Sequence, residues 1–223
     1  MGNIRVERKN PTAYDNGFSY TVYKETVNKY LKTDPRELNF QNRVILCMLE
    51  KLLINTDIEI VDTSTLYDRG KRNSKTLNTT QFKKTGYAPP DLLLARNWNI
   101  DNVNNKVDYL AAIEIKSPNS KEAICGKQFE KYDKHVKEET RAHLLANQKV
   151  ILTDCYRWQF FEKKEGFVDT TPIDLIDKNK QWKEDIIISN NIDNRLLESE
   201  SKEWKQLQNR ILSFLGIQGD CNV

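Results

Sequence analysis

Histidine is nearly missing from this chain. His135 and His143 are the whole supply, and the four cysteines, Cys47, Cys125, Cys155 and Cys221, stand far apart without a Cys-x-x-Cys pair. A zinc site of clustered thiolates and imidazoles is therefore excluded. Any metal site has to rest mainly on carboxylates, and oxygen donors favour magnesium, manganese or calcium. Scattered cysteines fit a reducing compartment and argue against a disulfide framework, so a cytoplasmic protein is expected. No stretch approaches the roughly 20 apolar residues of a membrane helix, and no membrane partner is expected. Met1 to Asn10 is charged and lacks the apolar segment of a secretory signal. There is no internal repeat and no low-complexity linker. One domain over residues 1–223 is the simplest organisation, with a core at about 34–165, an N-terminal arm and helix at 1–33, and a C-terminal helical extension at 170–223.

What is present is an ordinary globular balance over 223 residues, 38% hydrophobic and 30% charged, enough for a sizeable core. The net charge of +3 is unevenly spread. Arg69, Lys71, Arg72, Lys75, Lys83 and Lys84 fall between Arg69 and Gly86 without one acid, so this segment carries +6 and the remainder −3. Such a segment suits a polyanion such as nucleic acid, and equally a loop kept soluble by lysine.

The apolar pattern alternates helices and short strands. Tyr20, Tyr23, Val27, Tyr30 and Leu31 predict a helix over Phe18 to Leu31. Thr33-Asp34-Pro35 starts a second helix running to about Leu53. Strands are expected at Asp57–Asp62, Leu92–Ala95, Tyr109–Ile115, Val150–Thr153 and Trp158–Glu162, with a further one at Ile186–Ile188. Asn97 to Lys106 reads as a turn. A long helix is expected over Lys121–Asn147 and a last amphipathic helix over Asn194 to about Leu215. His135 and His143 read as surface residues of the long helix.

Asp91 opens one short strand and Glu114 closes the next. If the two strands are antiparallel neighbours, both carboxylates lie at one end of the sheet. Lys116 lies two residues beyond Glu114 and so shares its face in an extended strand. Two acids can hold a hydrated divalent cation, the Ile115 carbonyl can add a ligand, and an ammonium can steady phosphate charge. Glu114 and Lys116 also read as the polar positions of a half-exposed strand.

Pro90-Asp91 with Glu114-Ile115-Lys116 resembles the PD-(D/E)xK nuclease superfamily. Gln128-x-x-x-Tyr132 follows, and Leu152-Thr153-Asp154 with Arg157-Trp158 comes after it. Together these are most similar to the nuclease domain of type I restriction motor subunits, within the Gln-x-x-x-Tyr subgroup. The likeness covers Glu37 to Glu162. The Asp91-to-Glu114 interval is long for the family, and no Gly-x-x-x-x-Gly-Lys loop is present, which excludes a translocating motor in this chain.

The resemblance implies an α/β, restriction-endonuclease-like fold, a central mixed sheet flanked by helices. It implies a nuclease that hydrolyses DNA phosphodiesters with Mg2+ or Mn2+, in restriction or phage defence. Asp91, Glu114 and the Ile115 carbonyl would hold the metal, Lys116 and Gln128 would act beside it, and the basic segment would hold the DNA backbone. Glu37 is an additional acid by family position, with Glu50 a rival. The pair Asp34 and Glu37 also reads as a capping box. The alternative function is a catalytically inactive nuclease-fold module that binds nucleic acid or a protein as an accessory subunit. A homo-oligomer or a larger defence complex remains open as the assembly.

Overall fold

The computed structural model describes residues 18–63, 89–98, 107–163, 171–185 and 201–217. Helix α1 (Tyr20–Thr33) begins where the Ser19 hydroxyl accepts the Val22 amide, and it buries Tyr20, Tyr23 and Val27 on one stripe. After Pro35 the chain turns into α2 (Glu37–Phe40), a π-helical turn (Gln41–Ile45) and α3 (Leu46–Leu52). Phe40, Val44, Ile45, Met48 and Leu49 form the buried face of this run. The π turn aims Gln41 inward, where its amide donates to Asp62 Oδ1 at 3.3 Å.

The strands are β1 (Ile58–Asp62), β2 (Leu92–Arg96), β3 (Asp108–Ile115), β4 (Lys149–Thr153), β5 (Arg157–Glu162) and β6 (Ile173–Asp174). They form one mixed sheet in the order β1-β2-β3-β4-β5-β6. Every neighbouring pair is antiparallel except β3 and β4. A parallel pair needs a long crossover. Residues 116–148 supply it and carry α4 (Lys134–Asn147). The last helix, α5 (Lys202–Phe214), is capped by Ser201.

Period-2 alternation splits the sheet into two apolar faces. Leu92, Leu94, Ile113, Ile115, Ile151, Trp158 and Phe160 pack with residues of α1, of the run from α2 to α3, and of α5. Leu93, Ala112, Val150, Leu152 and Phe161 pack on the other face with Val136 and Leu144 of α4 and with Ile124, Phe129 and Tyr132 before it. The molecule is thus α/β, with helices on both faces of a six-stranded mixed sheet.

The first five strands and the two N-terminal helical runs stand where the sequence predicts them, and β6 is an addition. The helix expected over Lys121–Asn147 is shorter. Its first half is a loop with a 3-10 turn at Phe129–Lys131, and α4 starts only where Asp133 accepts the His135 amide at 2.9 Å. The cause is Asp154. One of its carboxylate oxygens accepts the amides of Ile124 and Cys125 at 2.8 and 2.7 Å, while the other accepts those of Tyr156 and Arg157. Amides held this way cannot join a helical ladder. Gly126 follows at φ 74, a left-handed turn that glycine adopts without strain. The expected strand at Ile186–Ile188 and all but the first two residues of the turn expected over Asn97–Lys106 lie outside the described residues. The helix expected from Asn194 to about Leu215 starts only at Lys202, because Ser201 is extended and caps it.

Candidate functional site

The register between β2 and β3 sets Leu92 opposite Ile113, so one step further along Asp91 stands beside Glu114. Asp91 shares strand parity with Leu93, and Glu114 with Ala112, so both carboxylates belong to the α4 face. Asp91 is anchored by the neighbouring backbone: Oδ2 accepts the Ile115 amide at 2.7 Å. Ile115 contributes backbone here, since its side chain is buried in the opposite core. Lys116 continues the ladder, donating its amide to the Thr153 carbonyl at 2.8 Å.

The Lys116 ammonium lies between acids from two elements. It is 2.6 Å from Glu114 Oε1, 2.9 Å from Glu139 Oε2 of α4, and 3.9 Å from Glu122 Oε2. Burial opposes its charge, but Glu114, Glu139 and Glu37 outweigh that and hold its pKa above the ordinary value. Glu139 is likewise opposed by burial, and Lys116 holds it below the usual carboxylate range. Glu114, which is 3% exposed, is pushed up to about 8 by burial despite Lys116. Asp91 is raised well above its ordinary value by burial, then by Glu114 and Glu37. Acids exceed cations in this cluster, so it is electrostatically incomplete and attractive to a divalent cation.

The sequence-predicted residues sort cleanly. Asp91, Glu114 and Lys116 come together, and Ile115 joins them through its amide. Glu37 lies near enough for Lys116, Glu122 and Glu139 to act on its carboxyl, whose pKa burial raises. The capping box does not form, because the Asp34 amide donates to the Tyr30 carbonyl and the Asp34 carboxylate pairs with Arg36. Glu50 is exposed on α3. Gln128 is exposed too, ahead of the 3-10 turn, and the groups that surround Lys116 are Glu114, Glu122 and Glu139 in its stead. Tyr132 is buried and donates its hydroxyl to Gln159 Oε1 at 2.5 Å. Arg69, Lys71, Arg72, Lys75, Lys83 and Lys84 lie outside the described residues.

Sequence reasoning missed Glu139 and His143, and for the second the correction is large. His143 is no surface residue: it is 1% exposed, with Nε2 3.1 Å from Glu114 Oε2. Burial pushes its pKa down to about 4, against the pull of Glu139 and Asp91. The approach is close but misaligned for an N–H donor, so His143 Nε2 and Glu114 Oε2 are buried without a hydrogen-bond partner. His135 remains exposed, as expected. The signal was Glu139-x-x-x-His143, an i,i+4 pair that shares one helix face. No family model matches this chain, and no curated protein or solved structure matches it significantly.

A pH dependence follows from the two buried groups. Glu114 has a raised folded pKa, so its contribution is fully present below its ordinary 4.5 and is lost as pH rises through about 8. His143 has a lowered one, so its contribution is present above 6.5 and is lost as pH falls through about 4. Between pH 4.5 and 6.5 the slopes oppose each other; above 6.5 that of His143 is gone, and Asp91, raised by the same burial, acts in the same direction as Glu114. The melting temperature in EDTA should therefore fall from pH 6.5 to pH 8. Glu114→Gln should make that fall smaller, as scanning calorimetry would show; an undiminished fall would mean that Glu114 does not titrate as described.

Proposed function

We propose that this chain is a metal-dependent nuclease with a restriction-endonuclease-like core, hydrolysing DNA phosphodiester bonds in restriction or phage defence. The observation that carries this reading is the convergence of Asp91, Glu114 and Lys116 on one face of the sheet at neighbouring strand ends. The parallel step from β3 to β4 after three antiparallel strands is compatible with such a core.

The donor set fits a hard divalent cation. Among the described residues, carboxylates outnumber the ammonium of Lys116 at the cluster, and Glu114 Oε2 is a buried acceptor without a partner. Mg2+ or Mn2+ held by Asp91, Glu114 and the Ile115 carbonyl would supply Lewis-acid stabilisation of the phosphate charge. The chain's own groups do the rest. Lys116 offers an ammonium that stays charged, suited to the negative charge that develops on the phosphoryl oxygens. Glu139 orients that ammonium from α4, and Glu37 adds negative potential at the half-buried side of the cluster. Water adds to phosphorus as the P–O3′ bond breaks and its proton goes to the departing oxygen, leaving 5′-phosphate and 3′-hydroxyl ends. End-labelling the products tests this: ends that accept ligation without phosphatase or kinase treatment are expected, and 3′-phosphate ends would overturn the reading.

The basic segment from Arg69 to Gly86 is assigned to the DNA backbone. Each phosphate contact contributes about 0.9 to the slope of log affinity against log salt. Neutralising Lys71, Arg72, Lys83 and Lys84 should therefore lower that slope by up to about 3.6. Fluorescence anisotropy over a salt series checks this, and an unchanged slope would mean that DNA is held elsewhere.

A further inference from the structure

We propose that Glu114, Glu139 and His143 form a mixed oxygen and nitrogen site that selects a first-row transition ion, Mn2+ in preference to Mg2+. The inference rests on reading this cluster as a metal site, and it extends that reading by naming α4 as a source of ligands and an imidazole as one of them.

The geometry comes from the helix. Glu139 and His143 are one turn apart on the buried face of α4, which lies across the face of the sheet that carries Glu114. One donor atom from each of the three residues lies within 4.8 Å of the other two. On two of these residues, Glu114 Oε2 and His143 Nε2 are buried and have no hydrogen-bond partner, yet they face each other at 3.1 Å. Leaving two polar atoms in that state is costly unless something joins them. Around an ion with bonds of about 2.1 Å, adjacent donors sit about 3.0 Å apart in an octahedron and about 3.4 Å in a tetrahedron. The observed separation is that of two adjacent ligands. Glu114 Oε1 stays with Lys116 at 2.6 Å, so Glu114 can bind an ion through its other oxygen and keep its ion pair.

Ligand type sets the selectivity. Mg2+ prefers all-oxygen shells and dehydrates reluctantly, whereas first-row transition ions accept an imidazole nitrogen with an affinity that rises from Mn2+ onwards, so even Mn2+, the weakest of them, gains over Mg2+. Three protein donors leave further positions for water or a phosphate oxygen.

The test uses the full chain and Mn2+ as the probe. Pulsed electron paramagnetic resonance of the wild-type protein with one equivalent of Mn2+ should show coupling to an imidazole nitrogen. Calorimetry should show Mn2+ binding about tenfold or more tighter than Mg2+. In His143→Asn, checked for folding by circular dichroism, the preference for Mn2+ should collapse and the nitrogen coupling should vanish; in Glu139→Gln, checked likewise, both ions should bind more weakly while the nitrogen coupling stays. A wild-type Mn2+ spectrum without nitrogen coupling overturns the inference, whatever the variants do. So does an unchanged Mn2+ preference in folded His143→Asn. Nitrogen-coupled Mn2+ in a protein that cuts no DNA supports the site and overturns the nuclease reading. DNA cleavage with nitrogen-free Mn2+ does the reverse, and the absence of any divalent binding overturns both.

Discussion

Asp91→Asn and Glu114→Gln should each slow DNA cleavage by about a thousandfold or more while the protein stays folded. The amide replacements keep the shape of each side chain and remove its charge. The local backbone asks only for an acceptor at position 91. The Ile115 amide, held at 2.7 Å by Asp91 Oδ2, can donate to the amide oxygen of the Asp91→Asn variant instead. Both carboxyls are held above their ordinary pKa, chiefly by burial, so their charge opposes folding in the absence of a metal. The variants should thus melt at or above the wild-type temperature in EDTA and gain less from added Mg2+. Loss of activity with unchanged or higher stability separates a ligand from a scaffold residue. A folded Glu114→Gln protein cutting at the wild-type rate would remove Glu114 from the site.

Lys116→Ala should have the largest effect on stability. Lys116 is 3% exposed, and its ammonium lies 2.6 Å from Glu114 and 2.9 Å from Glu139. Removing one partner of a buried ion pair costs about 3–5 kcal/mol, because the other charge is left in a poorly solvating interior. A kcal/mol corresponds to about 2–4 °C in a chain of this length, so the melting temperature should drop on the order of 10 °C at about pH 8. At about pH 6 the drop should be smaller, since Glu114, with its pKa at about 8, already carries its proton there and leaves no unpaired charge when Lys116 is removed. A divalent cation should restore much of the loss by replacing the missing positive charge, although cleavage should remain impaired. Differential scanning calorimetry at both pH values, with EDTA and with Mn2+, reads all of this. A variant as stable as wild type at the higher pH would mean that Lys116 does not neutralise the acids around it.

The strands and the pairing of Asp91 with Glu114 were legible because they depend on local pattern. The run from Tyr109 to Ile115 is apolar, Pro90 precedes the Leu92 strand, and period 2 fixes which residues share a face. The break in the long helix was not legible. It depends on a carboxylate at Asp154 reaching back to Ile124 and Cys125, a contact distant in sequence and made by a residue that reads locally as a turn. His143 was misassigned for a related reason. Val136, Thr140, His143 and Asn147 make one buried stripe of α4, but only Val136 is apolar, so hydropathy registers little of it. Thr140 and Asn147 bond to the Val136 and His143 carbonyls of their own helix, and His143 approaches Glu114 on the facing strand. Gln128 and Tyr132 illustrate the opposite error: a spacing of four suggests a shared helix face, and the backbone there is not α-helical.

Cleavage of labelled DNA by the purified protein tests the nuclease reading most directly, with duplex, single-stranded and RNA substrates run in parallel. Wild-type protein should cut at least the DNA with Mg2+ or Mn2+, stop when EDTA is added, and leave it intact when Asp91→Asn from the same preparation replaces it. A wild-type protein that leaves every substrate intact with both ions, or an Asp91→Asn protein that cuts at the same rate, would contradict it.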